Sequence, residues 1–233
     1  MTQGGEQEKH VGHVVKGIMN PFTQLVLRTS ASGLPLEWLD YQQAAHLYHL
    51  DKVLYPCGSP LFRLRGGISA ATGRQSVLVI HSIIATVGEV SEHLTAGYVP
   101  LLSNRTLFKR DGHLCLYCGE RFLCARLSRD HVRPISRGGS NTWNNVVTAC
   151  RRCNNRKAGH LPEEAGMQLL AIPFTPNHAE YVYLQGRRIL ADQMAFLRAH
   201  FPRSSPFHAR RSVDEETTYP GPVSLEAAAS GSA

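Results

Sequence analysis

Four cysteines in two Cys-x-x-Cys pairs constrain this chain more than any other feature. Cys115 and Cys118 stand in C-L-Y-C, and Cys150 and Cys153 stand in C-R-R-C. Four thiolates so paired close a tetrahedral zinc site with Zn–S bonds of about 2.3 Å. An Asp-His pair, Asp130-His131, lies between the two halves, and Asn145 and Asn154 follow. Asp130, His131 and Asn154 lie outside the expected cage and remain available for chemistry. Glycine after Cys118 lets backbone N–H groups turn toward sulfur. Cys124 is surplus once both pairs are complete. Cys57 follows a proline and stands alone, which suits a small buried residue or a loop thiol.

Charge singles out the same stretch. Residues 101–160 carry twelve basic side chains against Asp111, Glu120 and Asp130, a net +9. The rest of the 233 residues holds thirteen basic and fifteen acidic groups, a net −2. The whole positive excess therefore sits on the cysteine-bearing segment, the footprint expected of a polyanion binder. Arginine outnumbers lysine ten to two there, and its planar fork suits phosphate. The N-terminus, M-T-Q-G-G-E-Q-E-K-H, is polar and lacks the apolar core of a signal peptide. The apolar run from Val77 to Val87 is too short to span a bilayer. A cytoplasmic protein with reduced thiols is the expectation, in which Cys-x-x-Cys pairs read as metal ligands before disulfides.

Read in order, the chain begins with a leader (1–19) of mixed polar composition, expected to be disordered. Residues 20–102 read as a small mixed α/β unit. Gln24–Thr29 has strand composition, Asp40 suits the N-cap of a helix carrying Tyr41, Ala44, Ala45 and Tyr48, and extended segments are expected at 52–55 and 75–87. His81 and His93 lack partners at ligand spacing, and Trp38 reads as core. Residues 103–170 open with a short helix ending near Arg110 and a turn at Asp111-Gly112. Leu127–His131 then suits a strand, Pro134 with Gly138-Gly139 a loop, Val146–Thr148 the returning strand, and Cys150–Ala158 a helix stopped by Gly159. Pro162-Glu163-Glu164-Ala165 reads as the start of a further helix. Residues 171–201 end in an amphipathic helix marked by Leu190, Met194, Leu197 and Phe201. The remainder (202–233) is rich in Pro, Ser, Gly and Ala and is expected to be disordered.

The run C-L-Y-C…R-D-H-V-R-P…W-N-N-V-V-T-A-C-R-R-C-N-N-R-K resembles the HNH endonucleases of the four-cysteine type, over residues 105–170. The resemblance implies an α+β fold with a zinc-stapled, treble-clef-like ββα-metal unit, and a metal-dependent DNA endonuclease. His131 would then be the general base for water, as suits an imidazole near neutral pH. Asp130 and Asn154 would hold a catalytic cation through hard oxygen donors, Mg²⁺ or Mn²⁺. Neighbours on a strand point to opposite faces, so that Asp130 and His131 address one site is implied by the resemblance alone. Asn145, fourteen residues after His131 and nine before Asn154, would be the middle residue of the motif, bracing the loop and orienting the histidine.

The last motif position is Asn154 instead of histidine, a variation of the four-cysteine members that favours Mg²⁺. Asn155 is the alternative ligand if the helix is rotated, and His160 a stand-in beyond its end. Double-stranded DNA is the expected partner, with Arg133, Arg137, Arg151, Arg152, Arg156 and Lys157 meeting backbone phosphates. Two other classes use parts of the same pattern. A non-catalytic zinc module that binds nucleic acid needs the cage and the arginines, without the Asp130-His131…Asn154 set. A redox protein needs one Cys-x-x-Cys pair and no second.

Overall fold

The computed structural model describes residues 23–87, 98–209 and 223–225. The leader 1–19, His93 and nearly all of the chain past 209 lie outside the described residues. Strands β1 (Val26–Ser30) and β2 (Pro35–Leu39) pair antiparallel. Asp40 then starts α1 (Tyr41–His49) with a reciprocal capping box. Its carboxylate accepts from Gln43 N at 2.8 Å, and Gln43 Oε1 accepts from Asp40 N at 3.0 Å. The extended reading at 52–55 falls at the start of a much longer strand, β3 (Val53–Ile68), which forms an antiparallel hairpin with β4 (Gln75–Thr86). Pro56, Gly58 and Pro60 hide that strand from a composition-based reading. Register shifts around Cys57–Phe62 let it keep pairing with the Val/Ile-rich β4.

Helix α2 (Asn104–Arg110) follows, capped by Ser103. The short hairpin of β5 (Leu127–His131) and β6 (Val146–Cys150) leads directly into α3 (Arg151–Lys157). Helices α4 (His178–Gln185) and α5 (Ala191–Ala199) come next, and β7 (Val223–Leu225) lies parallel to β3. The large sheet has the order β2-β1-β4-β3-β7, with β1 and β4 parallel.

Alternation along the central strands assigns each face of this sheet. Val26, Ile80 and Ile84 pack with Ala44 of α1 and with Leu39, Leu61 and Phe62. Leu27 and Ile83, one residue out of phase, face a second core containing Leu107, Trp143, Val182, Leu184, Met194 and Leu197. The second face is thus closed by helices from the far end of the chain. Polar contacts fix the same seam. Trp38 Nε1 donates to Val182 O at 2.7 Å, and Gln193 Nε2 donates to both Leu25 O and Ser82 O at 2.8 Å. Among the described residues no helix is long and apolar enough to cross a membrane.

Three expectations need correction. Residues 162–166 form turns and no helix: Gly166 takes φ +62° and Met167 N donates back to Pro162 O at 2.8 Å, closing the loop. Helix α3 stops at Lys157, and the positive φ that ends it (+49°) falls on Ala158 instead of Gly159. The ordered body also runs past 202, because Phe207 is fully buried against Phe174, Tyr183 and Phe201.

Candidate functional site

The two cysteine pairs meet where the hairpin turns into α3. Gly119 adopts φ +75° and donates its N–H to Cys115 O at 2.9 Å, which folds the first pair into a knuckle. Leu116 N donates to Thr148 O at 2.9 Å and fastens that knuckle to β6. Cys150 is the N-cap of α3, and its sulfur accepts from Cys153 N at 3.4 Å. The four Sγ atoms lie within 4.8 Å of one another, and none is in a disulfide. A zinc tetrahedron with bonds of about 2.3 Å has S···S edges of about 3.8 Å, so the donor set fits such an ion. Burial, then hydrogen bonding to Cys150, pushes the Cys153 thiol well above its ordinary range. Four thiolates this close together repel one another, and a divalent cation between them would offset that repulsion. Cys124 is exposed and outside the cluster.

Beneath the knuckle sits a buried ion pair. Asp130 on β5 is 5% exposed and Lys157 on α3 is 0%. Lys157 Nζ donates to Asp130 Oδ1 at 3.1 Å and to His131 O at 2.7 Å, while the Tyr117 hydroxyl donates to Asp130 Oδ2. Burial, then the bond to Asp130, pushes the Tyr117 phenol upward, so it remains a donor. Lys157 is therefore not a surface phosphate contact, a correction to the sequence reading. At helix spacing its position suits DNA as well as Asn154 does, but its stem runs inward and its ammonium is consumed by the carboxylate. A carboxylate offers about four lone-pair directions. Two are taken here, and Asp130 keeps acceptor capacity on both oxygens.

His131 follows Asp130 and turns away from that pair, as strand alternation requires. It is half-buried, with Nε2 3.1 Å from Asn141 Oδ1. Asn154, on α3, donates through Nδ2 to Ser128 Oγ at 2.9 Å and Arg129 O at 3.3 Å. Among the described residues nothing donates to its Oδ1. The chain thus brings Asp130 and Asn154 against the same α3–β5 seam, and sets His131 at its edge. Asn155 is exposed, and His160 lies past the end of α3 with Nδ1 3.3 Å from Lys157 O.

Asn145 clamps the loop between the strands. Its Oδ1 accepts from Arg133 N at 2.9 Å, its Nδ2 donates to Arg133 O (3.0 Å) and Ser140 O (2.8 Å), and its carbonyl accepts from Val132 N at 2.8 Å. A Cβ at Gly139 would stand 1.8 Å from Arg133 O, so this loop closes only on glycine.

A second buried pair supports the hairpin from α2. Arg110, 1% exposed, donates to both oxygens of Asp111 and to Trp143 O, Phe174 O and Val146 O, at 2.8–3.2 Å. Asp111 Oδ2 in turn accepts from Thr148 N at 2.7 Å. These two internal pairs remove two bases and two of the three acids of residues 101–160, leaving ten basic groups against Glu120, still +9. Arg133, Arg137, Arg151, Arg152 and Arg156 are exposed. Arg137 is engaged by Glu164 at 2.6 Å, Arg152 faces Glu120 at 3.8 Å, and Arg133 Nε donates to Arg137 O at 2.8 Å.

Sequence reasoning missed Tyr117, Asn141 and the Arg110–Asp111 pair. Tyr117 lies inside a Cys-x-x-Cys and Asn141 inside a Gly-Gly-Ser-Asn turn, where neither spacing nor periodicity marks a role. Arg110 looked like one more surface charge.

A family model described as HNH endonuclease matches residues 115–170. The match runs from the first cage cysteine through β5, β6 and α3 to Leu170. It points to nuclease activity on a nucleic acid. No curated protein matches the chain.

Proposed function

We propose that residues 103–170 form a ββα-metal HNH nuclease unit that hydrolyses phosphodiester bonds of double-stranded DNA. Residues 20–102 and 171–201 serve as its scaffold. Cys115, Cys118, Cys150 and Cys153 hold a structural Zn²⁺ that staples the unit and contributes to its folding. Asp130 and Asn154 hold Mg²⁺ or Mn²⁺ through a carboxylate and an amide oxygen, a donor set that suits hard cations. When bound, that cation draws charge from the scissile phosphate and stabilises the leaving oxygen.

The chain's own residues supply the rest. His131 accepts the proton of the attacking water as general base. Asn145 locks the 132–140 loop, which fixes the strand end that carries His131. Lys157 and Tyr117 hold Asp130 in one orientation, so the carboxylate does not reorganise when charge develops nearby. Arg133, Arg137, Arg151, Arg152 and Arg156 place the backbone and make binding salt-dependent without reading sequence.

The observation that carries this reading is a half-buried imidazole at the end of β5, next in sequence to a rigidly held carboxylate, inside the stretch that matches the nuclease family. Supercoiled plasmid incubated with Mg²⁺, Mn²⁺ or EDTA tests it. Nicking with either metal, lost with EDTA and lost in His131→Ala, is the expected result. One observation favours a non-catalytic zinc module that binds nucleic acid: both Asp130 oxygens already have donors. Metal-independent DNA binding with no cleavage in any arm would select that reading.

A further inference from the structure

Donor and acceptor bookkeeping around His131 decides which ring nitrogen carries its proton. Arg129 and His131 are two residues apart on β5 and so share a face. Between them stands Asn141, on the turn before β6. Arg129 Nη1 donates to Asn141 Oδ1 at 2.9 Å, and His131 Nε2 lies 3.1 Å from the same oxygen. Arg129 Nε is anchored on its other side by Asn104 Oδ1, at the start of α2, at 2.9 Å.

A guanidinium has five N–H groups and no acceptor. Whatever faces Arg129 must accept, so the amide of Asn141 is fixed with its oxygen, and not its NH₂, toward the guanidinium. That oxygen is also the atom facing His131. An amide oxygen cannot donate, so the ring nitrogen opposite it must be the N–H. With Nε2 protonated, neutral His131 carries its lone pair on Nδ1.

We infer that Asn141 is a positioning residue: held by Arg129, which is held by Asn104, it fixes the tautomer and ring plane of His131 so that Nδ1 is the nitrogen that takes the proton. This rests on His131 being the general base. The balance is simple. Water loses a proton to the Nδ1 lone pair as its oxygen bonds to phosphorus, and the phosphorus–oxygen bond to the leaving sugar oxygen breaks. That oxygen takes a proton from solvent, and the imidazolium keeps its Nε2–H bond to Asn141. A hydrogen-bond partner of this kind, one shell out from the reacting atoms, is worth about 10–100-fold in activity.

Asn141→Leu keeps the approximate shape and removes the acceptor, whereas Asn141→Asp keeps an acceptor facing Arg129. Long-range ¹H–¹⁵N spectra of the zinc-loaded protein, with His131 assigned by its absence in His131→Ala, read the tautomer without any cleavage. The expected wild-type signature is protonated Nε2 and bare Nδ1, with an observable Nε2–H proton that Asn141→Leu loses to solvent exchange and Asn141→Asp retains. In plasmid nicking, Asn141→Leu is expected to lower kcat about 10–100-fold with KM for DNA within about twofold, and Asn141→Asp to recover most of it. Zinc content and melting temperature confirm that each variant folds.

A wild-type spectrum with Nδ1 protonated overturns the inference. So does Asn141→Leu turning over at the wild-type rate. Absence of cleavage by the wild-type enzyme sinks the nuclease reading instead, and the spectrum still decides the tautomer.

Discussion

Removing the ammonium of Lys157 by Lys157→Met is the sharpest test of how Asp130 is held. The Lys157 side chain is 1% exposed and that of Asp130 is 6%. Methionine fills much of the lysine's volume, so cavity cost is small and the loss is electrostatic. The variant leaves a buried carboxylate supported by Tyr117 alone, and it orphans His131 O, which had accepted from Nζ at 2.7 Å. Breaking one side of a buried pair costs about 3–5 kcal/mol, or roughly 6–20 °C in melting temperature for a domain of this size.

Urea unfolding of zinc-loaded protein, followed by far-UV circular dichroism, measures it. The double variant Lys157→Met/Asp130→Asn removes the stranded charge while keeping an acceptor for Tyr117. It is expected to recover about 1–3 kcal/mol, a coupling typical of residues in contact. The same variant should leave the slope of log K against log salt for DNA binding unchanged, because a buried ammonium releases no counterion. A cost below about 1 kcal/mol, a double-variant cycle additive within about 0.5 kcal/mol, or a shallower salt slope would each refute the assignment of Lys157 as an internal partner.

Cys150→Ser, which removes one sulfur from the cage and weakens the cap of α3, should abolish cooperative unfolding of the zinc-loaded chain. A strong chelator should do the same to the wild type, and a normal melting transition in either case counts against a structural zinc. Arg110→Lys cannot reproduce a fork that reaches five acceptor atoms. It should cost about 3–5 kcal/mol by orphaning buried carbonyls at Trp143, Val146 and Phe174, and a loss under about 1 kcal/mol by urea titration would contradict the network. Arg151→Gln and Arg156→Gln should each reduce the salt slope of DNA binding by about 0.9 without changing the cleavage rate at saturating DNA. Glu164 has its carboxyl held below the ordinary range, first by Arg137. A depressed folded value means its small contribution is present above the ordinary carboxylate range and is lost as pH falls below it, so Glu164→Gln should flatten the acid side of the stability–pH curve slightly.

Sequence alone made the cage legible because cysteine is rare and its ligand spacing is stereotyped. It also placed β5, β6, α2 and the Asp40 cap, where local chemistry sets local structure. What it could not show depends on burial. Lys157 and Arg156 are neighbours in sequence and both basic, yet one spends its charge on Asp130 and the other meets solvent, and only the packing of α3 against β5 decides which. The role of Arg110 is hidden for the same reason. Strand β3 escaped because Pro56, Gly58 and Pro60 argue against a strand locally, while pairing with β4 that runs from Val53 to Ile68 overrides them. Asn141 was invisible because its meaning comes from Arg129, twelve residues earlier and on another element.

Closure of the sheet's second face by α4 and α5 bears on transplanting the family-matched segment. Leu107 and Trp143 of the family-matched region and its flank share one core with Leu27 and Ile83 upstream and with Val182, Met194 and Leu197 downstream. An excised fragment ending at Leu170 would present that greasy flank bare to solvent and clump. Fusions built on this chain should therefore carry it from β1 through Phe207 as one piece, with partners attached outside those limits.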